Sequence, residues 1–330
     1  MTAPRNESSG ADNFITVADV EAAARRLKGQ AIHTPAIVAL DLGERLGVPC
    51  AVKAESLQRT GSFKFRGAYN FVATMSPADR ARGVIAPSSG NHGQAVACVA
   101  QIFGIPATIV MPTTVTAIKR AGVERYGATA VLAGTTTDDR MSAAQKLAAS
   151  TGAIIVPPYD NLAIIAGQAT CGLEIVTDEP AAQTIVVPVG GGGLSGGVAT
   201  VAKLARPGIR IVVVEPEGAA KLSAAWKAGS PVAVPKPTSA ADGLLAVKIG
   251  ARNFAHLHRF ADEVITVTEK EIAAAASYVF RELKLVSEPS GATSLAALLS
   301  GKVRPTGETI AVLSGGNISI DALRDFCASA

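Results

Sequence analysis

The stretch Thr184–Gly197, TIVVPVGGGGLSGG, sets how the rest of the chain is read. Its first half is a short apolar run rich in β-branched residues, the pattern of a strand buried on both faces. Gly190 to Gly193 then interrupt it, and an apolar, alanine-containing segment follows. Four consecutive glycines cost conformational entropy that a bare turn rarely requires. Placed between a strand and a helix start, they present successive backbone N–H groups, which is the make-up of a phosphate cradle.

The same strand–turn–helix alternation runs outward in both directions. Apolar runs at Ala51–Glu55, Gly83–Ser88, Ala107–Met111, Ala130–Ala133, Ile154–Pro157, Arg210–Glu215, Val264–Val267 and Thr309–Leu313 read as strands. Helical periodicity between them includes Asn91–Phe103, Asp138–Ser150, Leu162–Thr177 and Glu269–Leu283. Apolar strands separated by helices predict an α/β chain with open, twisted, parallel sheets flanked by helices. Gly229–Gly243, rich in Pro, Gly and Ser, reads as a long surface loop.

Composition narrows the function. With 330 residues, 48% hydrophobic and 18% charged, the chain can bury two α/β cores. A net charge of +4, spread without basic blocks, gives no support to nucleic-acid binding. The four cysteines, Cys50, Cys98, Cys171 and Cys327, form no metal or disulfide spacing and fit reduced thiols in a cytoplasm. No run approaches membrane-spanning length. Residues 1–14 are polar, lack the apolar segment of a signal peptide, and read as a flexible arm. His256 and His258 read as surface residues.

Three further stretches carry candidate chemistry. TGSFKFRGAYN, Thr60–Asn70, sets Lys64 between Phe63 and Phe65. A lysine kept dry there loses its proton near neutral pH and can attack a carbonyl. VIAPSSGNHGQA ends a strand in Ser88, Ser89 and Gly90 and opens a helix with Asn91 and His92, a helix N-terminus that favours an anion. TIAVLSGGNIS places Ser314 at the tip of another strand. Gly191, Gly193 and Gly196 also match G-x-G-x-x-G, and Glu215 ends the next strand where a ribose-binding carboxylate would stand. On local spacing this allows an NAD-dependent oxidoreductase, but it gives SFKFRG, SSGNHGQ and SGGN no task.

Taken together, LQRTGSFKFRGAYN, SSGNHGQAVA, PPYDNLAIIAGQATCGLEI, VPVGGGGLSGG, ADGLLAVKIG, EPSGA and SGGN occur in the order found in the serine/threonine dehydratase family. The chain resembles that family of fold-type II pyridoxal-phosphate enzymes, which also contains serine racemase. The resemblance implies a tryptophan synthase β-like architecture. A large cofactor-binding domain (1–75 and 161–330) would contain an inserted small substrate-clamping domain (76–160). It implies a homodimer and an activity of amino acid catabolism: β-elimination on a β-hydroxy L-amino acid, giving a 2-oxo acid and ammonia.

It also implies roles. Lys64 would hold pyridoxal 5'-phosphate as a Schiff base and act as catalytic base beside Phe63. Gly190, Gly191, Gly192, Gly193 and Leu194 would wrap the phosphate. Asn91 would face the ring hydroxyl, Ser314 the ring nitrogen, and Glu288 the ring and amine. Ser62, Ser88, Asn91 and His92 would hold the substrate carboxylate. Ser89 matches the second acid/base of the racemases. Arg140 matches an arginine that can approach a second carboxylate, as threo-3-hydroxyaspartate would offer. Some relatives bind a divalent cation through an acid, a carbonyl and a second acid. Here Glu215 and Ala219 match the first two, but Lys221 stands for the third, so no obligatory metal is expected.

Overall fold

The apolar runs pair into two sheets. The computed structural model describes residues 14–328. Its strands are β1 (Ala36–Val38), β2 (Cys50–Ala54), β3 (Val84–Pro87), β4 (Ala107–Met111), β5 (Thr129–Leu132), β6 (Ile154–Ile155), β7 (Thr184–Pro188), β8 (Arg210–Pro216), β9 (Glu263–Val267) and β10 (Thr309–Leu313). The helices are α1 (Val17–Leu27), α2 (Leu40–Leu46), α3 (Lys64–Thr74), α4 (Pro77–Ala81), α5 (Asn91–Phe103), α6 (Ala117–Glu124), α7 (Thr137–Thr151) and α8 (Leu162–Asp178). They continue with α9 (Gly193–Ala205), α10 (Lys221–Ala228), α11 (Ala251–Phe260), α12 (Glu269–Arg281), α13 (Pro289–Leu299) and α14 (Ile320–Ala328).

The larger sheet runs β1-β2-β10-β7-β8-β9 and the smaller one β5-β4-β3-β6. All neighbours are parallel except β1, a three-residue antiparallel edge on β2 that the sequence reading did not include. β8 shows why the centre of its run, Ile211–Val214, is apolar. Val212 and Val214 enter a core under α12 and α13, while Ile211 and Val213 enter a second core under α8, α9 and α11. A strand covered on both faces has no polar side to display. Burying each of these side chains contributes about 1.5–3 kcal/mol.

Helix α3 joins the two sheets. Phe65, Tyr69 and Val72 pack into the core of the smaller sheet, against Val84, Ala97 and Met111. Gly67 faces α8 so closely that a Cβ would strike the Gln168 side chain at 2.4 Å. The lysine at the start of α3 therefore stands where both sheets meet. Of the arm expected over residues 1–14, residues 1–13 lie outside the described residues; Phe14 packs its ring against His256 and Phe260.

His256 corrects the surface reading. It is fully buried, accepts the Ile15 N–H at Nε2 (3.0 Å), and contacts the Arg252 carbonyl through Nδ1 (2.7 Å). His256 turns inward because its side of α11 packs on α9, where a Cβ at Gly196 would lie 3.4 Å from the His256 Cβ, while Phe254 and Leu257 carry the rest of the helix into the core. His258 lies between the rings of Trp226 and Phe254.

Candidate active site

β2, β10 and β7 are adjacent and parallel, so their carboxyl ends open at one place. Ligands of open α/β sheets bind there. From β2 the chain passes through two short 3-10 turns to Lys64. From β10 it enters Ser314, and from β7 the glycine run. The first two loops are stitched together. Ser62 and Gly315 form a β-bridge, and the Phe63 N–H donates to the Ser314 carbonyl at 3.1 Å. Across from them, β3 of the smaller sheet delivers the Ser88–Asn91 turn. Asn91 Nδ2 donates to Glu288 Oε1 at 2.5 Å. Asn317 Nδ2 donates both to Asn91 Oδ1 and to the Thr60 carbonyl, each at 2.7 Å. Lys64, Asn91, Glu288 and Ser314 thus come from four segments to one cleft.

The Lys64 amine donates to the Pro158 carbonyl at 2.8 Å and lies 5.1 Å from the Phe63 ring centroid. Phe65 is not its neighbour; that ring is part of the core behind α3. Burial pushes the Lys64 pKa down to about 8, against the pull of the Glu288 carboxylate. A neutral amine is the form that attacks an aldehyde. Apoprotein should therefore capture pyridoxal phosphate with a rate that rises with pH and levels off above about 8. Stopped-flow absorbance reads this directly. A plateau near the ordinary lysine value of about 10.4 would remove the argument.

Burial also raises Glu288 to about 8, helped by Asp242; Asn91, Lys119 and Lys64 oppose the rise. Near neutral pH this carboxyl holds a proton and can share it. His92 is driven the other way, to about 3, first by burial and then by Lys64. Its Nε2 is 3.0 Å from the Val156 carbonyl, so the neutral ring donates there. What His92 retains for a bound carboxylate is its backbone N–H in the first turn of α5.

The glycine run is shaped by its neighbours. Gly192 has φ +98°, and a Cβ there would meet Ile249 and Asn253 at 2.7 and 2.8 Å. A Cβ on Gly191 would lie 2.2 Å from the Tyr159 ring, and one on Gly190 3.0 Å from the Gly243 carbonyl. The Gly191 carbonyl is held by Asn253 Nδ2 at 2.7 Å and by Gly250 N–H at 3.1 Å. Gly193, Leu194 and Ser195 form the first turn of α9, whose N–H groups have no intrahelical partner. The Leu194 side chain is in the core, so its offer to a ligand is that N–H. This seat fits a phosphate.

The remaining candidates sort by geometry. The Ser62 hydroxyl is buried without a hydrogen-bond partner, beside Lys64. Ser88 Oγ accepts the Gly90 N–H at 3.3 Å, and Ser89 is half-buried in the same turn. Ser314 is buried, its hydroxyl 3.5 Å from the Ser290 carbonyl. Arg140 bonds within its own helix. It opens α7, donates to Thr137 Oγ1 at 2.9 Å, and keeps its Nε buried without a partner. Lys221 is fully buried, 3.6 Å from Glu215, and donates to the carbonyls of Ala219 (2.9 Å) and Val189 (3.1 Å), the residue before the glycine run. Both Glu215 oxygens accept backbone N–H groups, from Leu222 and Ser223. The carboxylate is also fully buried, which closes it to a ribose.

Residues 156–160, given no site role above, support three parts of the cleft: α5, Lys64 and the glycine run. The carbonyl of Val156 holds His92, that of Pro158 meets Lys64, and Tyr159 packs on Gly191. Asp160 accepts the Ala251 and Arg252 N–H groups at the start of α11, the helix that carries Asn253. The available sign was the PPYD stretch, where two prolines hold the backbone extended and, lacking N–H groups, cannot continue the β6 ladder.

A family model described as pyridoxal-phosphate dependent enzyme matches residues 27–315. The chain belongs to this family. Proteins similar to it include the L-threonine ammonia-lyase of Thermotoga maritima, 40% identical over 94% of this chain and 77% of that one. The L-threo-3-hydroxyaspartate ammonia-lyase of Saccharomyces cerevisiae is 37% identical over 92% of this chain and 94% of its own. Among solved structures, maize serine racemase aligns with TM-score 0.91 at 33% identity, covering 94% of this chain and 95% of that one. Membership in a pyridoxal-phosphate family sets aside the nicotinamide reading of the glycine run. The residues present fit this cofactor: a glycine cradle for its phosphate, a neutral-capable amine for its aldehyde, and a hydroxyl at Ser314.

Proposed function

We propose that this pyridoxal-phosphate-dependent lyase removes water and then ammonia from a β-hydroxy L-amino acid, with threonine and serine as substrates. The observation that carries the reading is Lys64, a buried amine with lowered basicity whose Nζ meets the Pro158 carbonyl, two residues from the Val156 carbonyl that holds His92 at the start of α5. Bound pyridoxal phosphate supplies an electron sink for the substrate α-carbon. Lys64 Nζ anchors the cofactor and, once released, takes the α-proton. The first-turn N–H groups of α5, with Asn91, Ser88 and the orphaned Ser62 hydroxyl, seat the α-carboxylate. Ser314 would offer the cofactor ring nitrogen a neutral hydroxyl, which does not enforce a proton there as a carboxylate would; the weaker electron sink would favour loss of a β-group over prolonged carbanion chemistry.

The fate of the substrate balances. Threonine loses its α-proton and β-hydroxyl as water; the enamine takes up water and releases ammonia and 2-oxobutanoate. Serine gives pyruvate by the same route. Incubating holoenzyme with each amino acid and measuring oxo acid and ammonia in equal amounts tests the reading; binding without either product would end it. The serine reaction also reports on Ser89. D-serine formed faster than pyruvate would make racemisation the principal activity.

A second substrate class is favoured by Arg140. Its guanidinium is partly desolvated, which lowers its pKa against the pull of Asp139, and its Nε lacks a partner. A second carboxylate, as in threo-3-hydroxyaspartate, would satisfy it. Arg140→Ala is expected to cut turnover of that substrate about 10- to 100-fold while leaving threonine within about twofold, the loss of one charge-assisted pair. Unchanged selectivity removes Arg140 from substrate recognition.

We further propose that residues 76–160 form a small domain clamping substrate against the large domain of residues 1–75 and 161–330. In this reading the buried Lys221 ammonium serves where a divalent ion would otherwise sit, so the activity needs none. The pairing of two chains is supported by Leu57, Val286 and Ile320, which are exposed apolar residues around the Gly316 segment. Four free cysteines, three of them buried, support a reducing compartment such as the cytoplasm. Among the described residues no helix is long and apolar enough to cross a membrane.

A further inference from the structure

The cleft is bounded by two walls from different parts of the chain, and one ion pair joins them at the solvent edge. Lys119, on α6, lies 2.8 Å from the Asp242 carboxylate. Each end is tied to site residues. Helix α6 packs on α5: a Cβ at Gly122 would lie 3.2 Å from the Gln94 side chain, and Arg125 reaches Gln94 Oε1 at 3.5 Å. α5 begins with Asn91. On the other side, Asp242 opens a 3-10 turn, Asp242–Leu244, whose Gly243 N–H donates to Ser290 Oγ at 2.9 Å. The Gly243 carbonyl packs over Gly190, and the Ser290 carbonyl faces the Ser314 hydroxyl at 3.5 Å. The pair therefore couples the α5 wall to the wall made by the glycine run and Ser314.

We propose that Lys119 and Asp242 are positioning residues that form a clasp across the cleft, holding the Ser88–Asn91 turn over Lys64. The strength suits a contact that must open in each cycle. Lys119 is 39% and Asp242 56% exposed, so water competes for both charges, and such a pair holds weakly and yields to salt. The interior contacts of the cleft, Asn91 to Glu288 and to Asn317, are part-buried and pair polar groups rather than two exposed opposite charges. Glu288 faces both members of the clasp, being raised by Asp242 and lowered by Lys119. Parting them leaves an unpaired carboxylate beside the acid that meets Asn91. Lids of this kind exclude water during the reaction and set the pace of product release.

The clasp rests on Lys64 holding the cofactor, and the test separates the two. In holoenzyme, hydroxylamine strips pyridoxal phosphate from Lys64 at a rate set by access to the cleft. Lys119→Met and Asp242→Asn are each expected to raise that rate about two- to fivefold, the range for one exposed pair. The charge exchange, Lys119→Asp with Asp242→Lys, is expected to return it toward wild type. In wild type, salt at about 1 M should accelerate stripping to the level of the single variants, and should leave those variants unchanged. Hydrogen–deuterium exchange over residues 88–94 and 241–245 should follow the same order, and it reads the clasp even if Lys64 carries no cofactor. Single variants indistinguishable from wild type in exchange and in salt response would overturn the proposal. Absence of visible absorbance in wild type would instead remove the Lys64 assignment. The salt response of wild type stands if the exchanged pair fails to fold.

Discussion

Alanine in place of Lys64 is expected to lower oxo-acid formation by about a thousandfold or more and to abolish the visible absorbance of the bound cofactor. Alanine is a good helix former and Lys64 is the first residue of α3, so the fold should persist. Lys64→Arg should lose as much, since a guanidinium keeps its proton at any working pH. That control separates the need for a neutral amine from the need for a filled site. The apoprotein carries a second signature. The Lys64 pKa is lowered to about 8 by burial, so the charged amine destabilises the folded state at pH 7. That cost is fully present below the folded pKa. It disappears as pH rises from about 8 toward the unfolded value of about 10.4. Lys64→Ala is therefore expected to melt higher than wild-type apoprotein at pH 7, by a margin that shrinks across that window. A margin independent of pH would mean that the amine is not desolvated. Retained turnover would end the assignment of Lys64.

The second large effect concerns Arg66, two residues along the same helix. Its guanidinium is buried and bonds both oxygens of Glu55, at 2.8 and 2.7 Å, and both of Glu174, at 2.6 and 2.8 Å. Lys53 pairs with Glu174 at 2.6 Å, and Thr34 donates to Glu55 at 2.5 Å. Two cations and two anions balance in a dry space between β2, α3 and α8. Arg66→Met removes one cation and leaves a buried anion uncompensated, a loss of about 3–5 kcal/mol. Denaturant unfolding should show it. The pH dependence identifies the cause. In wild type, burial pushes Glu55 up, but Arg66 and its hydrogen bonds, Thr34 and Lys53 outweigh this and hold the carboxyl below its ordinary range. That stabilisation is present above the unfolded value of about 4.3 and is lost as pH falls through the lower folded value. Without Arg66, burial prevails and the sign reverses. The variant should regain stability, relative to wild type, as pH falls from 7 toward about 5. A deficit constant over that range would assign the loss to packing instead. Because the cluster sets the position of α3, cofactor affinity should weaken in parallel.

Much of this was legible in the residues. Strands β2, β7, β8 and β10 carry runs of buried, mostly apolar residues because helices cover both faces, and that pattern identifies them even where Lys53 or Glu215 interrupts it. β1 escaped notice because three residues on a sheet edge carry no period. His256 was misjudged because spacing alone cannot say which face of a short helix meets a core. Lys64, the glycine run and the turn at Ser88–Asn91 were recognisable because each breaks a local rule: an amine among aromatics, glycines in series, polar residues at a strand end.

The chain by itself therefore determined which chemical groups exist, which elements carry them, and that strand ends present them. Local backbone preferences and burial write both facts into short windows of sequence. Only the tertiary structure decided who meets whom. That Pro158 faces Lys64, that Tyr159 and Asn253 shape the glycine run, and that Lys119 reaches Asp242 depend on crossovers between two sheets. Such contacts join residues 62 to 123 positions apart. No window of sequence holds both partners, and the free energy that selects them is the burial of the sheets around them.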